Sequence, residues 1–471
     1  MAKIQFGEWL PDQPSVTGAL TDAINCYPVV NGYAPFKSES NYSNDAAADL
    51  LVLFAGKYAT TVGLFAGSGS NLYKYNSGTK NMDSANTTGY TSIEYWDTTQ
   101  FGPKMICANG VNRLQSFTLN SSTYFANLSA DAPQAKYVST IRDFVVAANV
   151  TGYENKVYWS DINNETNWTP SATSQADSQV MADGGDITGL AGGEFGIVFL
   201  ERAIYRMSYA GSPLFFQFDA INTKLGCISA GSIAQFAGLT YFLGTDGFYV
   251  CNGQDTKSIS ENKVSKWFFS NATLENINTT MSSAVDPINK LVVWCFKTQS
   301  GGNYLLTYNI TLNKWTYCET TASSIASALT PSVSLEDLDN YNSSIDALTV
   351  SLDDRQWSGN QLIFAGTSGK KAITFGGANK TAAITTGDID AGRTVINLVR
   401  PTVDGGSGSI QIASREQLSE TPMFGDASVA DSEGRCSVRA AGRYHRIKLT
   451  PTGNWKTAVG LDANIVTQGS R

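Results

Sequence analysis

The chain has 471 residues, of which 42% are hydrophobic, 16% are charged and 43 are glycine. This composition excludes an intrinsically disordered chain and a coiled coil, and the length predicts about three domains unless one long all-β unit accounts for most of it. The formal net charge is −8, from 33 basic and 41 acidic residues. Such acidity disfavours a nucleic-acid reader, because those proteins neutralise phosphates with a basic surface.

The first 56 residues predict an extended N-terminal arm that lies across the surface. Four early prolines, Pro11, Pro14, Pro28 and Pro35, favour extended backbone over a core element. The main helix candidate is the alanine-containing run 43–53, and helix is expected in less than about a tenth of the chain. The opening MAKIQFGEWLPDQPS has no charged-then-apolar leader, and no apolar run approaches the ~18 residues of a membrane helix. We therefore expect no membrane insertion and synthesis in a reducing cytoplasm.

Residues 57–385 repeat one pattern: an apolar strand, a Gly- or Asn-containing turn, and a strand with alternating aromatics. The apolar strands are centred near Leu64, Met105, Phe144, Ile197, Tyr241, Val292 and Ile363, with spacings of 41, 39, 53, 44, 51 and 71 residues. Most of these spacings are close to the ~40 to 50 residues of a propeller blade. The pattern predicts an all-β fold with a β-propeller of about seven blades, within a range of six to eight. The alternative is a pair of unrelated β-sandwiches built from the same hairpins.

Residues 386–471 change character, because Arg-flanked alternating strands replace the aromatic hairpins. We predict a small C-terminal β-sandwich, or a sheet added to the propeller. Residues 391–471 carry eight of the thirteen arginines, and ten basic against seven acidic groups, which leaves −11 on the rest of the chain. The hypothesis is therefore an interface formed by Arg435, Arg439, Arg443, His445, Arg446 and Lys448. Strand alternation would place Arg435 and Arg439 on one face and Arg446 and Lys448 on the other. The alternative is that these charges are solvated and protect a sheet edge.

The seven cysteines are odd in number, scattered and without a CxxC motif, and several lie in apolar stretches. This distribution predicts seven buried free thiols. They are Cys26, Cys107, Cys227, Cys251, Cys295, Cys318 and Cys436.

Residues that would support catalysis are scarce. His445 is the only histidine, so a Ser/His/Asp site, a Cys/His site or a common metal site would depend on it. The turn 183–186 lacks the spacing of a calcium hand, and the segment 351–357 fails as the aspartate box of sialidase-like propellers. We expect no enzyme activity, no cofactor and no metal, although a pair of converging carboxylates that hydrolyses glycosides has no fixed spacing and stays open.

The stretch 223–269 carries a recognisable pattern: Gly226, Gly231 and Ser232 before an apolar strand, then Phe-Leu-Gly-x-Asp-Gly-Phe at 242–248, Asn-Gly at 252–253, and Ile-Ser at 259–260. It resembles the central part of tail-hub proteins of short-tailed bacteriophages, also called packaged-DNA stabilisation proteins or tail nozzles. The segments DPINKLVVWCFK, LLTYNITLNKWTYCE and GRYHRIKLT are similar to the same family, and the resemblance covers about half of the chain.

The resemblance implies a non-enzymatic virion protein of the phage tail, assembled in the host cytoplasm. Six copies would form a ring below the portal and the head-to-tail adaptor, and this hub or nozzle would enclose the DNA exit channel. Further partners would be tail spike, fibre or needle proteins. Double-stranded DNA would pass without specific binding, and acidity agrees with a channel that does not grip its cargo. The implied functions are DNA retention and ejection.

The competing hypothesis is a carbohydrate-binding or glycan-cleaving β-propeller that recognises a host surface. Exposed aromatic rings would then stack on sugars. The alternative is that aromatic residues at a period of two along a strand form the core of the blades. A periplasmic scaffold is a third possibility, which the missing leader disfavours. The sugar-stacking candidates are Trp9, Trp96, Trp168, Trp267 and Trp357.

Overall fold

The structure is a computed structural model that describes residues 2–91, 93–329, 342, 344–348, 351–352 and 362–467. Strands account for 53% of it and helices for 4%, which confirms the predicted all-β class with little helix. The N-terminal strands are β1 (Ala2–Gln5), β2 (Asp22–Ile24), β3 (Cys26–Val29), β4 (Gly32–Pro35) and β5 (Ser40–Asn41).

The following strands form antiparallel four-stranded sheets arranged as the blades of a β-propeller. Each of the first five sheets takes four consecutive strands. They are β6 (Leu50–Tyr58), β7 (Thr61–Ser68), β8 (Leu72–Tyr75), β9 (Met82–Ser84); β10 (Asp97–Phe101), β11 (Lys104–Ala108), β12 (Gln115–Thr118), β13 (Ala126–Asn127); β14 (Ala135–Ile141), β15 (Phe144–Val150), β16 (Tyr153–Trp159), β17 (Asp177–Val180); β18 (Ile187–Ala191), β19 (Gly196–Leu200), β20 (Ile204–Gly211), β21 (Phe215–Asn222); and β22 (Ala234–Phe236), β23 (Leu239–Leu243), β24 (Phe248–Cys251), β25 (Thr256–Ser258).

Two short helices, α1 (Ser265–Asn271) and α2 (Ile277–Thr280), precede another antiparallel meander of four strands. These are β26 (Ser282–Asp286), β27 (Leu291–Lys297), β28 (Asn303–Asn309) and β29 (Lys314–Thr320). The sixth separate sheet contains β30 (Ser324–Leu329), β31 (Leu362–Ser368) and β32 (Lys371–Thr374), and β5 from the N-terminal segment is its fourth strand. Single 3-10 turns lie at Ala230–Ser232 and Ile345–Ala347.

The C-terminal strands extend the β26–β29 meander into one 14-stranded sheet. They are β33 (Ala383–Thr385), β34 (Ile389–Asp404), β35 (Ser407–Arg415), β36 (Ser428–Val429), β37 (Cys436–Thr452) and β38 (Thr457–Thr467). The strand order is β26-β27-β28-β29-β2-β33-β37-β34-β38-β4-β3, with β1 on β38 and with β35 between β36 and β37. The predicted count of seven differs from the six separate sheets for this reason: β2 pairs with β29 and joins the β26–β29 meander to the C-terminal strands.

The apolar strands located by the sequence are the second strands of the four-stranded units. Leu64, Met105 and Phe144 lie on β7, β11 and β15, and the other four predicted centres lie on β19, β23, β27 and β31. Sequence reasoning missed the strand before each of them, for example β10 with the sequence DTTQF and β26 with SSAVD. These two strands are short and polar and, as shown below, line a cavity, whereas β6 is long and largely apolar and its first residues fell in the predicted helix.

The prediction of a surface arm over residues 1–56 is wrong. Trp9, Leu20 and Cys26 are each no more than 2% exposed and belong to the largest hydrophobic cluster of the described residues. The first blade begins at Leu50 rather than at residue 57, and at the other end β33 belongs to the large sheet, although the predicted propeller runs to residue 385. The early prolines therefore lie in a segment whose strands pair with two different sheets.

The helix predicted over 43–53 is also absent. Residues 43–49 have no regular structure and β6 begins at Leu50. Leu50 and Leu53 are buried against the sheet that β5 completes. Packing of these apolar side chains outweighs the weak helix preference of the alanine run.

All seven cysteines are buried and free, which confirms the prediction. Thiol titration with an aromatic disulfide, without added reductant, should detect close to no reactive thiol in the folded protein and seven in denaturant. Burial protects them in two ways, because it blocks access and disfavours the thiolate, as shown by the pKa of Cys227, which burial raises to about 11. Five or fewer thiols in denaturant would contradict the assignment.

Candidate functional site: the basic C-terminal sheet and the axial cavity

The predicted interface residues lie on or next to β37, but they do not form one surface. Arg435 precedes the strand. Arg439 and Arg443 are exposed, whereas His445 is buried and Arg446 and Lys448 are half-buried. The exposed positions change phase between Arg443 and His445, beside the shift in the β34–β37 register. The extra residues of this shift lie on β34, where Asp390 and Thr394 pair with Tyr444 and Gly442, so alternation along β37 continues while its covered side changes, which alternation alone could not anticipate.

Arg446 is bound to a buried carboxylate. Its Nε and Nη2 atoms donate to the two oxygens of Asp388 at 3.3 and 2.8 Å, and Arg415 Nη2 donates to Oδ2 at 2.6 Å. The side chain of Asp388 is 1% exposed, against 8% for Arg415 and 18% for Arg446. Ser15, from the N-terminal segment, also donates to Oδ2. One carboxylate therefore joins the N-terminal segment to the C-terminal sheet.

Burial alone would raise the pKa of Asp388. The hydrogen bonds from Arg446 and Ser15, together with the charges of Arg446 and Arg415, outweigh burial and hold this pKa below its ordinary value of 3.8. Asp388 is therefore ionised at neutral pH. Arg446 thus belongs to an internal ion-pair network rather than to a docking surface.

His445 is 0% exposed and is held between two hydroxyl groups. Its Nδ1 lies 2.7 Å from Ser414 Oγ and its Nε2 lies 2.9 Å from Thr394 Oγ1. Burial lowers the pKa of the imidazole, so the neutral form is favoured, with one nitrogen donating and the other accepting. The nitrogen remote from Ser414 faces a hydroxyl, whereas a catalytic triad has a carboxylate there. The geometry positions His445 as a strand residue that ties β34 and β35 to β37.

Two further arginines are paired locally. Arg435 contacts Asp431 at 3.1 Å and Glu433 at 2.6 Å, and Arg443 contacts Asp390 at 3.1 Å. These exposed pairs offset the charge of two of the five cationic side chains proposed for the interface. The Lys448 ammonium lies 6.0 Å from the centre of the Phe424 ring.

Arg439 is the exception. It is exposed and has no ion pair or side-chain hydrogen bond within the described part of the chain. Arg439 shares its face of β37 with Ala441, which lies opposite Val395 of β34, and Val395 lies opposite Val466 of β38. Val466 is 47% exposed. We call this surface, made by Arg439, Ala441, Val395 and Val466, the outer sheet face.

A second candidate site is a cavity of about 850 Å³ that lies where the innermost strands converge. Its wall includes residues from β6, β10, β14, β18, β22, β26 and β30, which are the first strands of the four-stranded units. Polar groups on these strands bond to the neighbouring unit: Val138 N to Asp97 Oδ2 at 2.9 Å, Ser283 Oγ to Ile233 O at 3.0 Å, and Ser327 Oγ to Val285 O at 2.9 Å. Hydrogen bonds between neighbouring units therefore hold the cavity wall together.

Asp97 is a carboxylic acid in this wall whose pKa is strongly shifted. Burial raises its pKa to about 7, although the N–H groups of Val138 and Thr98 donate to it and lower the value. Because the pKa is raised, the proton is bound more tightly in the folded state, and stability decreases as the pH rises through about 7. The role supported by these contacts is structural, since Asp97 bridges two sheets.

The structure also bears on metal binding, membrane-spanning helices and the tryptophans proposed for sugar stacking. In the described ranges, no group of three or more His, Cys, Asp or Glu residues is positioned to hold a metal ion. Within the same ranges no helix is long and apolar enough to cross a membrane. Among the tryptophans proposed for sugar stacking, Trp9, Trp96 and Trp168 are at most 5% exposed and Trp267 is half-buried. Trp357 lies outside the described residues.

The conspicuous residues of the stretch 223–269 build one blade. A Cβ atom at Gly231 would lie 1.8 Å from the carbonyl oxygen of Met281, so only glycine fits there. Ser232 Oγ donates to Ser229 O at 2.6 Å and accepts from Leu243 N at 2.9 Å, and Ser260 Oγ accepts from Phe248 N at 2.7 Å. The pattern thus specifies contacts with the backbone.

Comparisons with known proteins found no matching family model and no matching curated protein. Among solved structures, the chain is similar to the computationally designed Ika8 protein, with 11% identity, a TM-score of 0.38, and coverage of 78% of this chain and 99% of that one. It is also similar to a chain in the crystal structure of the Mitotic Checkpoint Complex, with 10% identity, a TM-score of 0.39, and coverage of 75% and 97%.

Proposed function

We propose that this chain is a non-enzymatic structural protein of a bacteriophage tail, and that copies of it form a hub or nozzle ring below the portal and adaptor. The ring would enclose the DNA exit channel and help to retain packaged DNA. The proposal rests on the outer sheet face, which combines exposed valine with an arginine that has no partner among the described residues, in a chain of net charge −8. The acidic remainder of a second copy offers a complementary surface.

We also infer that the β26–β29 meander is a seventh blade. Its first strand lines the axial cavity together with the first strands of the six separate sheets, and Ser283 and Ser327 bond it to both neighbours. The ring is closed by β5, which comes from the N-terminal segment. Closure by a strand from the opposite terminus stabilises a propeller because it joins the last blade to the first residues of the chain.

The DNA channel of this proposal lies between subunits. A cavity of about 850 Å³ inside one subunit is too small for a DNA duplex, and its strands are hydrogen-bonded across the blades. The opening of this proposal would therefore be created by ring assembly. Light scattering and negative-stain images of the purified chain test this directly: a ring with a central opening is expected, and a monomer at every concentration would overturn the proposal.

The variant Arg439→Glu should slow ring assembly and leave the melting temperature nearly unchanged. Reversing this charge removes attraction to an acidic neighbour, which affects encounter more than affinity, and the effect should be largest at low salt, where screening is weakest. Assembly kinetics followed by light scattering at two salt concentrations measure it. Arg202→Glu is the matched control, because Arg202 is also exposed but lies on the propeller. Equal assembly rates for the three proteins would remove the outer sheet face from the interface.

A further inference from the structure

A groove of about 710 Å³ lies where four separate parts of the chain meet. It is lined by the N-terminal segment around β4, by the turn between β26 and β27, by β31 with the residues after β32, and by residues 454–456 before β38. Its volume lies in the range of small-ligand sites, about 300–1,000 Å³. The walls are strands and the turns and loops that directly follow or precede strands, so the shape of the groove is set by the packing of the sheets.

The groove has two pairs of aromatic rings. Phe364 and Phe375 stack with ring centres 4.3 Å apart and an angle of 27° between planes. They are the chain neighbours of Ala365 and Thr374, which pair across β31 and β32. Tyr27 and Phe36 meet edge to face at 5.8 Å. Phe364, Phe375 and Tyr27 are only half-buried and line the groove, so part of each ring is accessible. Such rings offer apolar area at a low cost in side-chain entropy.

Polar side chains, mostly amides and lysines, complete the lining. Asn379 Oδ1 accepts from Lys37 Nζ at 2.7 Å while its amide donates to Trp455 O at 2.9 Å, so this side chain is fixed in position. Asn454 and Lys456 are exposed and have no side-chain partner within the described residues. Amide groups donate and accept at once, which matches hydroxyl groups, since each hydroxyl also does both.

We infer that this groove binds a short oligosaccharide. A sugar ring has an apolar C–H face, which packs on an aromatic ring, and hydroxyl groups at its edge, which form hydrogen bonds. The groove offers both kinds of partner, because it contains aromatic rings and polar amides. The acidity of the chain disfavours a nucleic acid, and the number of polar groups disfavours a purely apolar ligand. This inference does not depend on the proposed tail role, and its residues differ from the tryptophans suggested by the sequence.

The test is a glycan array of bacterial and animal oligosaccharides, followed by titration calorimetry with the retained compounds. Wild-type protein should retain at least one class of oligosaccharide. Phe375→Leu should weaken its binding about tenfold, because leucine keeps apolar volume but removes the stacking face. Asn454→Ala should weaken binding through loss of a hydrogen bond to the sugar. Tyr153→Leu is the control, since Tyr153 is 59% exposed and lies on a distant blade, and it should bind as the wild type does.

Two results would overturn the inference. One is that the wild-type array retains no glycan. The other is that Phe375→Leu, with an unchanged circular dichroism spectrum and melting temperature, binds as tightly as the wild type. Self-association that this variant abolishes, without any glycan binding, would assign the groove to a second copy of the chain and reject the oligosaccharide. The glycan-binding readouts do not depend on ring assembly, so failure of the oligosaccharide inference is distinguishable from failure of the proposed function.

Discussion

Replacing Asp388 with alanine should lower the free energy of unfolding by about 3–5 kcal/mol, because it removes one partner of a buried ion-pair network. The guanidinium groups of Arg415 and Arg446 would remain largely buried without their carboxylate, and Ser15 would lose its acceptor. Chemical denaturation followed by tryptophan fluorescence measures the change. Asp388→Asn, which keeps the size and one acceptor, should lie between the alanine variant and the wild type.

The control for this prediction is two residues away in the sequence. Asp390 also binds an arginine, Arg443 at 3.1 Å, but that pair is exposed. Asp390→Ala should therefore change stability little, since exposed pairs are screened by water and salt. If Asp390→Ala lowered the free energy of unfolding as much as Asp388→Ala does, the buried network would stabilise the protein no more than an exposed ion pair.

The effect of Asp388 should also depend on pH in a defined direction. Its folded-state pKa is lower than the ordinary 3.8, so the unfolded chain takes up the proton first as the pH falls. The stabilisation is therefore complete above about pH 5 and disappears as the pH falls through the folded-state pKa. The difference between the wild type and Asp388→Ala should be constant near neutrality and should shrink in acid. A difference that grows in acid would contradict the assignment.

Hairpin periodicity predicted the class of the fold because second strands are buried on both faces and read as continuous apolar runs, as in LVVWCFK at 291–297. First strands such as SSAVD could not be recognised, since hydroxyl and carboxyl groups replace apolar side chains where strands face a cavity and bond to a neighbouring sheet. The insertion of β5 and β2 into distant sheets was equally hidden. Single bridges such as Ile24 to Tyr317 leave no local pattern.

The basic stretch shows a different limit. Sequence spacing identified the arginines of β37 but not their partners, because Asp388 and Asp390 are more than fifty residues from Arg446 and Arg443. The phase change before His445 then altered which side chains are exposed. Of the six proposed interface residues, Arg439 alone combines exposure with the lack of a partner in the described ranges. The groove could not have been predicted at all, since its rings come from residues 27, 36, 364 and 375.

Deleting residues 2–44 should prevent the chain from folding to its native state. The deletion removes β5, which is the fourth strand of its sheet, and β2, which joins β29 to β33. It also removes Trp9 and Cys26 from the largest hydrophobic cluster. Several core side chains are each worth a few kcal/mol, and the total stability of a domain is about 5–15 kcal/mol. Circular dichroism and thermal unfolding of the purified protein should show loss of the cooperative transition.

Two milder variants make this last prediction specific. Deleting residues 2–5 removes only β1, whose residues are mostly exposed, and should leave a cooperative transition. Tyr42→Pro removes the N–H that donates to Ala372 O at 2.9 Å and the ring that stacks on Tyr75 at 4.9 Å. Hydrogen exchange should then accelerate in β31 and β32 but not in β15, because the loss is confined to the sheet that β5 completes. A cooperative transition in the long deletion, or uniform exchange in Tyr42→Pro, would restore the arm as a dispensable surface element.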